Sequence, residues 1–189
     1  MQPSQIMRIT KLDAARRQLR TAIDLWVNDG DPVSIHTLAF AAHQVIHDLN
    51  RKSKGPYLLL DNPTIRPEKK GEFISIVKRD ADYFKHADDR KRKTKDPTEI
   101  EFEPSVNELF IGLAITGLKY LGKDLAGFEI AFYAWYGIQR PDMLTDAGRE
   151  LLEKSIEAQS ADSLRLMKKQ EFFERIIKLF IINQSGGSG

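Results

Sequence analysis

Cysteine is absent from this chain of 189 residues. Its absence excludes disulfides, thiol nucleophiles and thiolate metal sites, and it fits a reducing compartment. Long apolar runs are also missing, since none reaches the roughly 18–20 residues that a membrane-spanning helix needs. The N-terminal residues lack the apolar core of a secretory signal peptide. We therefore expect a cytoplasmic protein with no membrane partner.

The chain also lacks a large excess of one charge, because it has 29 lysines and arginines and 27 acidic residues, which gives a net charge of +2. Contact with a nucleic acid would therefore need a local basic patch. The chain has no glycine-rich phosphate loop and no nucleophile elbow, and its carboxylates are scattered. These absences exclude the commonest nucleotide-binding and hydrolase signatures, and we expect no cofactor.

Apolar residues at helical spacing are what the sequence does supply. Hydrophobic residues make up 41% and charged residues 30%, which is typical of one globular domain. Strand-like alternation occurs only at 100–103, where a brief strand is possible before Pro104. The sequence predicts an all-α protein, an irregular bundle of about six or seven helices in one domain over 1–184. A flexible tail or linker follows at 185–189.

Capping signals locate most of the helix starts. Thr10 with Asp13, and Ser105 with Glu108, have the spacing of capping boxes. Asp31 before Pro32 predicts an N-cap followed by proline at the first helical position. The predicted helices span about 10–28, 32–50, 67–89, 105–122, 125–139, 145–160 and 163–183. The connector 51–66 contains an apolar stretch at 57–60 that we expect to pack against the bundle.

Three of the four histidines, His36, His43 and His47, lie on the second predicted helix. His43 and His47 have the spacing of two metal ligands on one helix face, but Gln44 stands where a zinc protease motif has glutamate. His36 is about 16 Å from His47 along the axis, so one metal ion cannot contact both. We expect histidines that are packed or hydrogen-bonded at the flank of the apolar face, and no metal site.

Two later helices carry unusual amounts of apolar surface. The aromatic residues at 128–136 could stack bases, but aromatic side chains at helical spacing are more typical of a core. The last predicted helix is apolar on more than one side, which indicates burial between neighbours or a subunit interface. The sequence therefore predicts a homodimer.

Basic, acidic, aromatic and titratable side chains crowd together only at 78–95. On a helical wheel, an apolar stripe that includes Val77, Ala81 and Phe84 faces the core. A second stripe faces water, a partner helix or another subunit; it consists of Arg79, Tyr83, His86 and Arg90. The chain then becomes strongly basic, with Lys91, Arg92, Lys93 and Lys95. A solvated helix face that runs into a charged loop is the plainest interpretation, and a nucleic-acid-binding patch is the alternative.

Arg79 followed by the polar Asp80, five further residues and then His86 resembles the motif of the HEPN superfamily. That superfamily consists of helical-bundle proteins and includes many metal-independent ribonucleases. The resemblance implies that the motifs of two protomers meet across a dimer interface and form one composite site. It also implies catalytic roles for Arg79 and His86. The family motif usually lies near the start of a late helix, whereas here it lies near the end of the third.

The chemistry of these side chains suits RNA cleavage. An imidazole can move the proton of a 2′-hydroxyl, and a guanidinium can hold a phosphate and stabilise developing charge. Tyr83 lies between the two and could orient a phosphate or a base. Arg79 and His86 are about 10 Å apart along the helix, which a two-fold dimer would relieve. The competing hypothesis is a non-catalytic helical module that binds a protein partner or an anionic ligand.

Overall fold

A computed structural model describes residues 6–86, 97–143, 146 and 161–186. Within these ranges the chain forms seven α-helices and no strand, which confirms the predicted all-α bundle. The helices are α1 (Lys11–Val27), α2 (Pro32–Lys52), α3 (Lys70–Lys85), α4 (Val106–Tyr120), α5 (Gly127–Gln139), α6 (Ala161–Arg165) and α7 (Lys169–Gly186). Single 3₁₀ turns occur at Leu59–Asp61, Pro67–Lys69 and Pro141–Met143. The helix predicted at 145–160 falls almost wholly outside the described residues.

Two of the three predicted helix starts are confirmed. Thr10 and Asp13 form a reciprocal capping box, and Asp31 accepts a hydrogen bond of 2.7 Å from the Ser34 N–H. The box predicted for α4 is wrong, because Ser105 has helical dihedral angles and makes no side-chain cap. The Glu108 carboxylate instead accepts a hydrogen bond from the Trp26 side chain. A tertiary partner has therefore replaced the local one.

Helix α2 lies at the centre of the bundle and packs most extensively against α1 and α4. From α1 and α4 the core receives Ala15, Leu19, Ala22, Ile23, Phe110, Ile111, Ala114, Ile115 and Leu118. On the far side of α1, Trp26 meets Phe132 of α5 edge-on, with ring centroids 5.0 Å apart. Phe132 is fully buried, so the core interpretation of this aromatic helix is confirmed there.

A buried ion pair joins α1 to the start of α5. The Arg16 guanidinium donates from Nε and Nη2 to the two oxygens of Glu129, at 3.2 and 2.8 Å. Glu129 is fully buried and also accepts the Ala126 N–H at 2.7 Å. Because Arg16 also donates to the Asp124 carbonyl, this one side chain orders the turn before α5.

Two helix ends differ from the prediction. The third helix was expected to reach residue 89, but α3 ends at Lys85 because His86 has extended dihedral angles. Beyond Phe84 the sequence offers little apolar surface to bury, so packing cannot extend the helix. The last predicted helix is interrupted between α6 and α7. Arg165 donates to the Ile138 carbonyl and Lys169 to the Trp26 carbonyl, so the two sides are anchored on different helices.

Helices α2 and α4 pack closely against each other at Gly117. A Cβ atom at this position would lie 2.5 Å from Ile46 Cγ2 and 3.2 Å from Leu58 Cδ1. Leu58 and Leu60 come from the 51–66 connector and are buried, which confirms that this connector packs against the bundle. At Gly112, on the same helix, a Cβ would meet no atom within 4 Å.

These two glycines provide a matched test of the packing. We expect Gly117→Ala to lower the free energy of unfolding by about 1–3 kcal/mol, because a methyl group overpacks the α2–α4 contact. Gly112→Ala should raise it by up to about 1 kcal/mol, because alanine favours a helix and nothing obstructs it. Urea denaturation measures both, and equal effects of the two substitutions would contradict the packing described here.

Candidate functional site

One face of α3 is bonded to residues 97–103, which we call the strap. The Tyr83 hydroxyl donates to the Thr98 carbonyl at 2.9 Å, and Arg79 Nη2 donates to the Glu101 carbonyl at 3.4 Å. The alternation predicted for this segment is present, with Ile100 and Phe102 partly buried and the three glutamates exposed. A strand does not form there, and the strap lies as irregular chain along α3.

Arg79 is held by its neighbours but remains accessible. Its Nε donates to Asp80 Oδ1 at 2.8 Å, and its side chain is 54% exposed. The hydrogen bond to Asp80 raises the pKa of Arg79 above its ordinary value. A guanidinium has five N–H donors, and Asp80 and Glu101 use two of them. About three donors therefore remain for a ligand, on a side chain whose position is already fixed.

His86 is exposed at the C-cap of α3, where its backbone N–H bonds to the Asp82 carbonyl. It lies two helical turns from Arg79, about 10 Å along the axis, so one chain does not bring the two side chains together. Both are accessible, and Tyr83 between them is engaged by the strap. Arg90, Lys91, Arg92, Lys93 and Lys95, which the sequence assigns to nucleic-acid binding, lie outside the described residues.

Directly behind this face lies His36, which is only 1% exposed. Its ring is enclosed by those of Phe40, Phe84, Phe102 and Phe110, at centroid distances of 6.0, 5.7, 5.1 and 5.5 Å. Phe84 belongs to α3 and Phe102 to the strap. His36 therefore joins the candidate site to the core, a role that helical spacing alone did not indicate.

Asn107 determines which ring nitrogen of His36 carries the proton. The Asn107 amide donates from Nδ2 to the Pro32 carbonyl at 3.0 Å, so its Oδ1 is an acceptor. His36 Nδ1 lies 2.9 Å from that oxygen and must donate to it. His36 Nε2 is then a bare acceptor, and it has no hydrogen-bond partner among the described groups.

His43 and His47 are buried as well, at 0% and 4% exposure. The expectation that the three histidines are packed or hydrogen-bonded is confirmed, because all three are buried and His36 is bonded to Asn107. His47 Nε2 is 3.4 Å from Asp61 Oδ1, and its Nδ1 is 3.4 Å from Asp48 Oδ1. In the part of the chain that the structure describes, no three acidic or histidine side chains converge on a possible metal position.

One face of α2 collects the unpartnered polar atoms. Among the described residues, the buried side-chain atoms without a hydrogen bond are His36 Nε2, both ring nitrogens of His43, His47 Nε2 and Asn50 Oδ1. The 3.4 Å separation of His47 Nε2 from Asp61 Oδ1 is an ion pair only when His47 is protonated. All belong to positions 36, 43, 47 and 50, whose spacing of seven, four and three places them on one side of a helix. That spacing was the available sequence signal. We call this surface the histidine face.

Burial sets the ionisation of these side chains. Loss of solvent lowers the pKa of His36, although the hydrogen bond with Asn107 acts in the opposite direction. Burial lowers the pKa of His43 from 6.5 to about 4, and the charge of nearby His47 adds to the effect. The histidine face therefore packs most favourably with His36 and His43 neutral.

A small cavity lies elsewhere, between α4 and α5. It has a volume of about 170 Å³ and is lined by Leu109, Gly112, Leu113, Thr116, Tyr133, Tyr136 and Gly137. At its end, burial raises the pKa of Glu108 and of Tyr136. This cavity is separate from Arg79 and His86.

Comparison with protein-family models, with curated proteins and with solved structures found no match to this chain. Among the helices described, none has the length and apolar character needed to cross a bilayer.

The buried His43 predicts a specific pH dependence of stability. Its pKa is about 4 in the fold against an ordinary 6.5, so the unfolded chain binds the extra proton between these values. The stabilisation is complete above pH 6.5 and is lost as the pH falls towards 4. At pH 5.0 this loss amounts to about 2 kcal/mol, since one pKa unit corresponds to about 1.4 kcal/mol.

Urea denaturation at pH 7.5 and 5.0 measures this loss. We expect His43→Gln to remove about 2 kcal/mol of the difference between the two pH values, because glutamine does not titrate. His86→Gln is the control and should keep the wild-type difference, since His86 is exposed. A His43→Gln protein with the full wild-type pH dependence would contradict this account of His43.

Proposed function

We propose that this chain is a HEPN-like RNA-binding protein that cleaves RNA without a metal ion. The proposed site consists of Arg79 and His86, completed by a second copy of the chain. One observation carries the proposal: Arg79 is fixed by Asp80 and the strap while more than half of its side chain is exposed. A guanidinium that is oriented in advance costs less to order around a phosphate.

The proposed chemistry assigns one role to each side chain. The His86 imidazole accepts the proton of a ribose 2′-hydroxyl, and the 2′-oxygen then attacks the adjacent phosphorus. The bond from phosphorus to the 5′-oxygen breaks, the leaving oxygen takes up a proton, and a 2′,3′-cyclic phosphate remains. The N–H donors of Arg79 stabilise the negative charge that develops on the phosphoryl oxygens. Asp80 and Tyr83 are positioning residues, because they bond to Arg79 and to the strap.

A second copy follows from the separation of Arg79 and His86. About 10 Å along one helix is too long for both to contact one reacting phosphate, whereas a two-fold axis can bring the Arg79 of one protomer to the His86 of its partner. An apolar surface that suits a homodimer is present on α7, where Leu179 and Ile182 are 45% and 62% exposed.

A second candidate function is a non-catalytic module that binds a protein partner. The observation in its favour is the charge around Arg79, which is paired with Asp80 and bordered by the exposed Glu99, Glu101 and Glu103. Carboxylates at this position repel a phosphate backbone and suit a basic protein surface. The basic residues at 90–95 favour RNA binding instead. The two hypotheses differ in whether the protein cleaves RNA.

Cleavage of a mixed RNA pool in EDTA distinguishes the two functions. We expect His86→Ala to lower the rate by about 10²–10⁴, which is the usual effect of losing a general base. Arg79→Ala should reduce it comparably. Arg51→Ala is the matched control, because Arg51 is an exposed arginine beside a carboxylate, Asp48 at 3.6 Å. It should keep full activity.

Each outcome of the RNA experiment has one meaning. If the wild-type protein cleaves RNA no faster than His86→Ala, the enzyme hypothesis fails and the binding-module hypothesis remains. Cleavage that survives in His86→Ala would place the chemistry at another residue, with His36 the next to test and His43 and His47 after it. Replacing Lys91, Arg92 and Lys93 should weaken RNA binding and flatten its salt dependence without changing the rate at saturation.

Sedimentation tests the proposed dimer. We expect the wild-type protein to sediment at twice the chain mass of 21.6 kDa at tens of micromolar. Leu179→Asp with Ile182→Asp should give a monomer, because two charges would be buried at the interface. Tyr57→Asp is the control, since Tyr57 is 66% exposed and belongs to the 51–66 connector, not to α7. A wild-type monomer, or a double variant that stays dimeric, would contradict an α7 interface.

A further inference from the structure

The histidine face of α2 is covered by two layers of unequal strength. Helix α4 buries seven residues in the core: Asn107, Phe110, Ile111, Ala114, Ile115, Gly117 and Leu118. Helix α3 buries only Ala81, and the strap buries no residue completely. The strap's side-chain bonds to α3 are those of Tyr83 and Arg79, and the second is long at 3.4 Å. The layer formed by α3 and the strap is therefore the weaker cover.

The two layers also differ in the groups that they present to the histidines. Asp80 and Lys85 of α3 act on His36 with opposite charge, and Asn107 of α4 bonds to it. His43 and His47 meet Asp48 of their own helix and Asp61 of the 3₁₀ turn. From α4, Phe110 presents an apolar ring to His36 and His43. A proton on His36 Nε2 would find no hydrogen-bond acceptor already in place among the described groups.

We propose that the histidine face makes the layer of α3 and the strap acid-responsive. As the pH falls below neutrality, this layer detaches from α2 while α1, α2 and α4 stay packed. The inference goes beyond the proposed function, because it concerns how the face that carries Arg79, Tyr83 and His86 is held in place. It stands whether or not the chain cleaves RNA.

The direction of the response follows from solvent access to His36. With the layer closed, Phe84 and Phe102 pack against the His36 ring, Nε2 is buried without a hydrogen-bond partner, and burial disfavours a proton on the ring. With the layer open, water reaches Nε2 and the ring binds a proton at its ordinary pKa of about 6.5. Proton uptake then favours the open form by up to about tenfold for each pH unit below 6.5. Ordinary carboxyls titrate near pH 4, below this window.

Hydrogen exchange followed by mass spectrometry tests the proposal on the intact protein at pH 7.5, 6.5, 5.5 and 5.0. After correction for the intrinsic pH dependence of exchange, peptides from 70–86 and 97–103 should lose protection by up to about 30-fold between pH 7.5 and 5.0. Peptides from α4 should stay better protected than these at every pH, because they exchange through global unfolding, which costs more free energy than opening the layer. In His36→Gln, protection of α3 and the strap should no longer depend on pH in this range. His86→Gln should behave like the wild-type protein.

Three results would overturn the proposal. Equal protection of α3, the strap and α4 at each pH would mean that they exchange together and that acid unfolds the whole bundle. Unchanged protection of α3 and the strap down to pH 5.0 would mean that the layer does not respond. A His36→Gln protein with the wild-type response would assign it to another group. The comparison of layers in the wild-type protein decides the matter even where His36→Gln fails to fold.

Discussion

The hydrogen bond between His36 and Asn107 is the contact on which the arrangement of the candidate site depends. It joins the middle of the bundle to the start of α4, and through the Pro32 carbonyl it also fixes the first turn of α2. Because the amide is bonded on both sides, the His36 ring cannot turn without breaking a buried hydrogen bond. Phe84 and Phe102 then pack on a ring of fixed orientation.

Helix α2 also carries the described buried polar atoms that have no hydrogen-bond partner. An unsatisfied buried polar group destabilises a protein by about 1–3 kcal/mol, and the described atoms of this kind all lie on the histidine face. Apolar residues at these positions would destabilise the fold less than unsatisfied polar groups do. Helix α2 tolerates the histidines because α1 and α4 pack closely on either side, down to the glycine contact at Gly117. The histidine face is thus supported by the packing of α1 and α4 against α2.

The accessible residues of α3 therefore belong to the layer of α3 and the strap, which covers α2 less extensively than α4 does. Arg79 is oriented by Asp80 and by the strap, while His86 projects from the end of the helix. Orientation of a guanidinium by an adjacent carboxylate suits a site that must hold a phosphate without rearrangement. The acidic strap beside Arg79 would weaken the binding of any polyanion there.

The sequence predicted the features that depend on neighbours along the chain. The capping box at Thr10, the Asp31 cap and the apolar periodicity of the helices follow from contacts three or four residues apart. Features decided by distant segments were missed. Glu108 turned from its own helix start to Trp26, and α6 separated from α7 where Lys169 reaches α1.

The histidines show the same division between features set by neighbours along the chain and features set by distant segments. Their spacing is legible in the sequence, but whether that side of α2 meets water or a second helix depends on where α3, α4 and the strap pack. The motif predicts Arg79 as a site residue, and its partner Asp80 is the next residue in the chain. The strap, which supplies the Glu101 and Thr98 carbonyls, is 15 to 22 residues away from the side chains it contacts. No local pattern could have paired them.

The protonation state of His36 is the most direct test of this account. A long-range ¹H–¹⁵N spectrum of the histidine rings at pH 7.5, with His36 assigned by comparison with His36→Gln, reports which ring nitrogen carries the proton. The account predicts a neutral ring with the proton on Nδ1 and a bare Nε2, as the bond to Asn107 requires. A proton on Nε2, or a doubly protonated ring at this pH, would contradict it.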